Sequence, residues 1–232
     1  MKSVAYLCLL PVVFVALAAG CDSPTGEPYK AQAAWSGRKS NVPAAPALPT
    51  TPVKVGAAYT VFGATHHMQS VVHSKEVTGA KDLSIEGYIV ESNVSDAPLC
   101  ALHPTGKKDP DNCKSDIPSF WIADTKDAPA GARKICVMGF AKNFASVFDA
   151  HAKYKNLKAA PKELLQDDMW GVGIPFPLPV VGAKVRVTGS YDFGFTKASS
   201  GAVTDPVSGI VTFKSLETLE PGAESFAFKN KK

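Results

Sequence analysis

Apolar residues recur at two different periods along this chain, and the change of period divides it into elements. Leu83-Ser84-Ile85-Glu86 alternates strictly, as a strand with one buried face does, so Leu83–Val90 is predicted as a strand. Gly87 in its middle predicts a bulge or tight coiling. Ser119–Asp124 and Lys134–Phe140 read as the second and third strands, joined by the turn-like stretch Thr125–Ala132 with Pro129 and Gly131. The period then lengthens. Phe144, Val147, Phe148, His151 and Tyr154 stand at helical spacing, which predicts one amphipathic helix over 143–157, capped by Asn143 and stopped by Pro161. After Pro175, Pro177 and Pro179, the run Gly182–Gly189 alternates again, with its valines inward and Lys184, Arg186 and Thr188 outward. Gly209–Leu216 reads as the last strand, and Ala58–Phe62 as an extra one extending the sheet.

The ends of the chain follow different rules. Val4 to Ala19 carries no charge and follows Lys2, but at roughly 16 residues it falls short of the roughly 20 needed to span a bilayer, and it suits a secretory signal. It ends Leu17-Ala18-Ala19-Gly20-Cys21, which resembles the lipobox of bacterial lipoproteins. That resemblance implies a signal peptide over 1–20, cleavage before Cys21, and a diacylglycerol on its thiol. The other reading is a cleaved signal that leaves Cys21 free. Residues 21–55 hold Pro24, Pro28, Pro43, Pro46, Pro49 and Pro52 among small and polar residues, with no apolar period. They read as a lipid-anchored linker, residues 56–221 as the folded domain, and 222–232 as a basic tail.

Three strands, a helix and two strands resemble the order of an OB-fold, a five-stranded, partly open Greek-key barrel. Gly182-Ala183-Lys184-Val185-Arg186-Val187-Thr188-Gly189 resembles the fourth strand of nucleic-acid-type OB domains. The expected class is therefore all-β with one helix. A β-sandwich is the rival, and it would want about seven strands with no helix between the third and fourth. The whole plan resembles uncharacterised lipoproteins with an OB domain, of a kind associated with myxobacteria. The resemblance implies a ligand face at Trp121, at the loop Asn93–Pro118 with Lys107 and Lys108, and at Tyr191 and Phe193, with Lys184 and Arg186 nearby. Aromatics beside cations suit single-stranded nucleic acid or sugars. An extracytoplasmic anchor points away from nucleic acid. The competing reading has Trp121 and Phe193 or Phe195 completing the core.

Composition sets the limits. Hydrophobic residues make up 45% and charged residues 20%, and the net charge is +4, too mild to argue for a polyanionic partner. Of five cysteines, Cys8 leaves with the signal and Cys21 takes lipid, so an oxidising compartment predicts a disulfide between Cys100 and Cys113. Cys136, in an apolar strand, reads as a buried thiol; the alternative pairs it with one of the loop cysteines. His66, His67 and His73 form a histidine cluster. On a strand His67 and His73 would lie about 20 Å apart, and on a helix His66 and His73 about 10 Å, so a shared ion would need a turn between them. No nucleophile elbow, His-Glu-x-x-His, phosphate loop or Gly-x-Gly-x-x-Gly occurs. The expectation is a lipid-anchored, extracytoplasmic module at the cell membrane or outer membrane. It would bind an envelope protein, a glycan or a small ligand, without a cofactor and without catalysis. The alternatives are an envelope scaffold subunit without a ligand pocket, and a metal-dependent enzyme built on His66, His67 and His73.

Overall fold

The computed structural model describes residues 50–96, 100, 110–113, 115–154, 166–167, 171–196 and 202–227. The signal segment, Cys21, the Pro-rich stretch as far as Pro49, Lys107, Lys108, residues 155–157 of the expected helix and residues 228–232 of the tail lie outside them. Among the described residues no helix is long and apolar enough to cross a membrane.

The architecture is mostly β-sheet with few helices. The strands are β1 (Lys54–Val55), β2 (Ala58–Thr60), β3 (Leu83–Ser92), β4 (Ser119–Ala123), β5 (Ile135–Met138), β6 (Gln166–Asp167), β7 (Val172–Gly173), β8 (Lys184–Asp192), β9 (Gly194–Phe195), β10 (Val203–Thr204) and β11 (Ile210–Glu220). Among the described residues three α-helices accompany them: α1 (Val61–Thr65), α2 (Val71–Thr78) and α3 (Phe144–Tyr154). Seven strands form one mixed sheet in the order β1-β2-β3-β4-β5-β11-β8, and β8 also pairs with β3. The pairings of β3, β4, β5, β11 and β8 therefore run in a circle. All five are antiparallel except β5 with β11, where Ile210, Val211 and Thr212 lie beside Cys136, Val137 and Met138.

Alternation drives this arrangement. On β8, Val185 and Val187 are buried, while Lys184, Arg186 and Thr188 on the other face are half-buried. Ile85 and Ile89 of β3, Phe120 and Ile122 of β4, and Val211 and Phe213 of β11 join the same core. Phe140 sits with its ring 5.7 Å from Phe120 and 5.8 Å from Phe213. Helix α3 adds Phe144, Val147 and Ala150, and Asn143 Oδ1 accepts from Ser146 N at 2.9 Å, the cap its sequence predicts. Gly87 is a point of close approach, because a side chain there would meet the Ala123 carbonyl oxygen at 2.9 Å. The register shift in β3 falls later, between Ile89 and Glu91.

Among the described residues the single predicted helix is joined by two more, α1 and α2. The expected strand at 58–62 is formed only as far as Thr60, where β2 runs parallel to β3. Thr60 then turns the chain, its hydroxyl accepting from Gly63 N at 2.8 Å, and α1 begins. Val61, Val71, Val72 and Val77 favour strands by propensity, and α2 buries only Val77 among its eight residues, so no apolar helical stripe announces it. Helix formation here is decided by side-chain caps and by Asp124 of the β4–β5 turn, whose carboxylate accepts from Val61 N at 2.8 Å and from Phe62 N at 2.7 Å. The last two residues of the segment read as linker, Lys54–Val55, form β1 and pair with β2.

The loop between β3 and β4 is closed at its neck by Asn93, which donates to Ile117 O at 2.9 Å and accepts from Ser119 N at 2.8 Å. Further out, Cys100 and Cys113 stand at disulfide distance with Cα atoms 5.7 Å apart. Cys136 is buried and unpaired, and burial first, then the charge of Asp205, pushes its thiol up to about 12.

Candidate functional site

The five residues read as a ligand face each contact the chain's own side chains or backbone. Tyr191 is fully buried, and its hydroxyl donates to Ser208 O at 2.8 Å, so its ring is spent on the core. Phe193 stands half-buried against it, with the ring centroids 5.9 Å apart. Trp121 is half-buried on β4, packed on a second small cluster of Cys136, Met138, Phe195 and Ile210. The β9–β10 hairpin supplies Phe195 and Val203 to this cluster, so the chain covers part of that face with its own apolar side chains. The two cations are engaged as well. Lys184 pairs with Glu220 at 3.6 Å, and Arg186 reaches Glu86 at 2.6 Å and Glu217 at 2.8 Å. The Arg186 guanidinium is held above its usual range, chiefly by its hydrogen bond to Glu86.

Glu86 has a side chain only 7% exposed, which makes Arg186 structural. Removing the guanidinium leaves a buried carboxylate unpaired. Arg186→Met is therefore expected to lower the melting temperature clearly more than Lys184→Met, whose partner Glu220 is exposed. Equal losses in thermal melts would show that Glu86 is solvated.

The histidines gather more closely than a straight helix or strand allows. Residues between α1 and α2 reverse the chain, and His67 occupies the left-handed region with φ 50°. The ring of His66 then lies 4.8 Å from that of His67 and 4.9 Å from that of His73. It also stacks on Phe62 at 4.7 Å, while its Nδ1 donates to Gly63 O at 3.0 Å. Tyr59 and Lys54 both contact Glu76, the Tyr59 ring lies 6.2 Å from that of His73, and His73 Nε2 is buried without a hydrogen-bond partner among the described residues. No set of three His, Cys, Asp or Glu side chains among the described residues has the geometry to hold a metal ion.

Burial, followed by the neighbouring His66, pushes His73 below its ordinary value of 6.5, against a smaller upward pull from Glu76. The unfolded chain takes up this proton near its ordinary pKa, and the folded chain does so only at lower pH. The stability that the neutral imidazole contributes is thus whole above about pH 6.5 and falls as the pH drops below it. Thermal melts of His73→Phe are expected to slope less steeply than the parent between pH 6.5 and 5. Identical slopes would remove His73 as the cause.

The sequence did not point to two adjoining cavities among the described residues. Ile89 of β3, Val185 of β8 and Leu216 of β11 form one wall of an apolar cavity of about 340 Å³. The proline loop with Leu178 and Val180 lines another side, and the segment Pro221–Phe226 a third. A second, more polar cavity of about 620 Å³ shares Pro179, Val180 and residues 223–226 with it. Phe226 anchors the shared segment, packing on the core with its ring 5.3 Å from that of His151 in α3. None of the five predicted face residues lines either cavity. Comparison of the chain with family profiles, curated proteins and solved structures yields no match.

Proposed function

We propose that this protein is a lipid-anchored, extracytoplasmic binding module of the bacterial envelope. Its folded part is an OB-type barrel, and its ligand site is the apolar cavity beside Leu216. The circle of five strand pairings supports the OB reading. Within the circle only β5 and β11 run parallel, and α3 falls between its third and fourth strands. The lipobox-like end at Cys21 and the bonded pair Cys100–Cys113 both favour an oxidising, extracytoplasmic setting.

The observation that carries the binding role is the cavity itself. Its about 340 Å³ falls within the ~300–1,000 Å³ typical of small-molecule sites, and its walls are mainly apolar. The usual OB face is partly covered by the chain's own hairpin, so the ligand would enter at the opposite seam, where β3, β8 and β11 meet.

Two measurements test this. Cys21→Ala is expected to abolish incorporation of labelled palmitate; continued labelling removes the anchor. Native mass spectrometry of the protein released from membranes in mild detergent is expected to show one small molecule per chain, lost on Leu216→Trp. A chain carrying no adduct before substitution removes the binding role.

A further inference from the structure

The two cavities differ in chemistry but share a wall. The first is lined by Ile89, Leu178, Val185 and Leu216, with no charged side chain except Glu224. The second is bordered by Ser92, Ser95, Lys126, Asp127, Glu224 and Ser225. Lys126 lies along Gly182, where an added side chain would meet its Cε at 3.2 Å. Among the described residues, Lys126, Asp127 and Glu224 form no ion pair. On β8 and β11, by contrast, Lys184 is matched across strands by Glu220 and Arg186 by Glu217. One cavity thus has a cation and two carboxylates in its lining, none of them in an ion pair, and such a set suits a group carrying both signs.

Resting on the binding-module reading, we propose that the two cavities form one site for a single-chain zwitterionic amphiphile of the lysophospholipid type. Its acyl chain occupies the apolar chamber, and its head group lies in the polar one. A volume near the lower limit of small-molecule sites suits one chain rather than two. Lys126 meets the phosphate, as an ammonium does by point charge. Asp127 and Glu224 meet the head-group amine. A simple fatty acid would leave both carboxylates facing its own, and a neutral monoacylglycerol would leave all three charges unused.

The test uses the lipidated protein in its own membranes. A lysophosphatidylethanolamine bearing a diazirine on its acyl chain is photolysed, and labelled peptides are mapped by mass spectrometry. Label is expected on peptides covering 177–185 and 216–226. Unlabelled lysophosphatidylethanolamine should compete roughly tenfold better than myristate or monomyristoylglycerol, about what one charge-assisted hydrogen bond supplies. Ala223→Trp, at an exposed position on the shared wall, should fill the site and remove the label without lowering the melting temperature. Lys126→Glu should keep the label in the apolar chamber and erase the preference for the phosphate-bearing competitor.

Label in these peptides competed equally by all three amphiphiles would overturn the head-group assignment and leave a binding module standing. Label confined to the N-terminal segment would overturn the site itself. An adduct in native spectra that is not an amphiphile would separate failure of this proposal from failure of the binding role.

Discussion

Asp124→Ala is expected to cost about 3 kcal/mol and to melt the segment around α1, because hydrogen bonds from amides to a charged acceptor are worth roughly 1.5–3 kcal/mol each. The carboxylate accepts from two amides at the start of that helix, Val61 N and Phe62 N, which have no helical partner of their own. Asp124 follows β4 and α1 follows β2, so these two bonds tie together segments more than sixty residues apart. Burial lifts the Asp124 carboxyl above its usual range, with Phe62 N and Val61 N pulling the other way. Asn keeps one acceptor but turns its NH2 donor toward the second backbone amide, so Asp124→Asn should recover at most about half of the loss. Chemical denaturation of the two variants checks this. A cost for alanine below about 1 kcal/mol, within the range of ordinary surface changes, would mean that water replaces the carboxylate.

Gly189→Ala is expected to be nearly as damaging. A methyl group there would stand 2.1 Å from the Thr212 carbonyl oxygen and 2.9 Å from Val211 Cγ1. The first of these is backbone on the neighbouring strand and cannot rotate away. Gly189 also pairs on both sides, with Leu83 of β3 and with Phe213 of β11, beside the shift where β11 resumes its register at Ser215. Relief would need β8 and β11 to separate locally, at the typical overpacking cost of ~1–3 kcal/mol. Amide exchange should rise at Thr212 and Phe213 first. Wild-type stability in Gly189→Ala would show that the strands yield without strain.

Much of the sheet is legible in the sequence because its strands obey one rule. β3, β4, β5, β8 and β11 fall within a few residues of where alternation and apolar runs place them, and the outward set Lys184, Arg186 and Thr188 follows directly. Their partners do not follow. Glu86 and Arg186 lie a hundred residues apart and meet only because β8 pairs with β3. A cation that alternation leaves facing outward therefore looks free for a ligand until the pairing is known. Tyr191 fails in the opposite direction. It continues the buried face of β8 past Gly189, beyond the end that the repeat predicts.

The helices α1 and α2 were hidden by valines whose strand propensity is overridden by caps at Thr60 and Ser70. A Ser or Thr before each run was the available signal. The histidine cluster depended on one residue, His67, taking a left-handed turn that spacing arithmetic along a straight element cannot contain. The cavities were illegible for a different reason. Their walls come from β3, the proline loop, the junction of β8 and β11, and the segment after β11, and no local pattern marks residues that only topology brings together.

The parallel neighbours β5 and β11 have a consequence for how the polypeptide matures. β11 is the strand that pairs with both β5 and β8, and among the described strands it is the last to leave the ribosome. Until then β5 and β8 each present an open edge, and the aromatic core around Phe213 is missing a wall. A sheet wired this way closes its circle of pairings only once residues 210–220 are in place, so the local pairing of β3 with β4 and of β4 with β5 can precede the long-range pairings that complete the core.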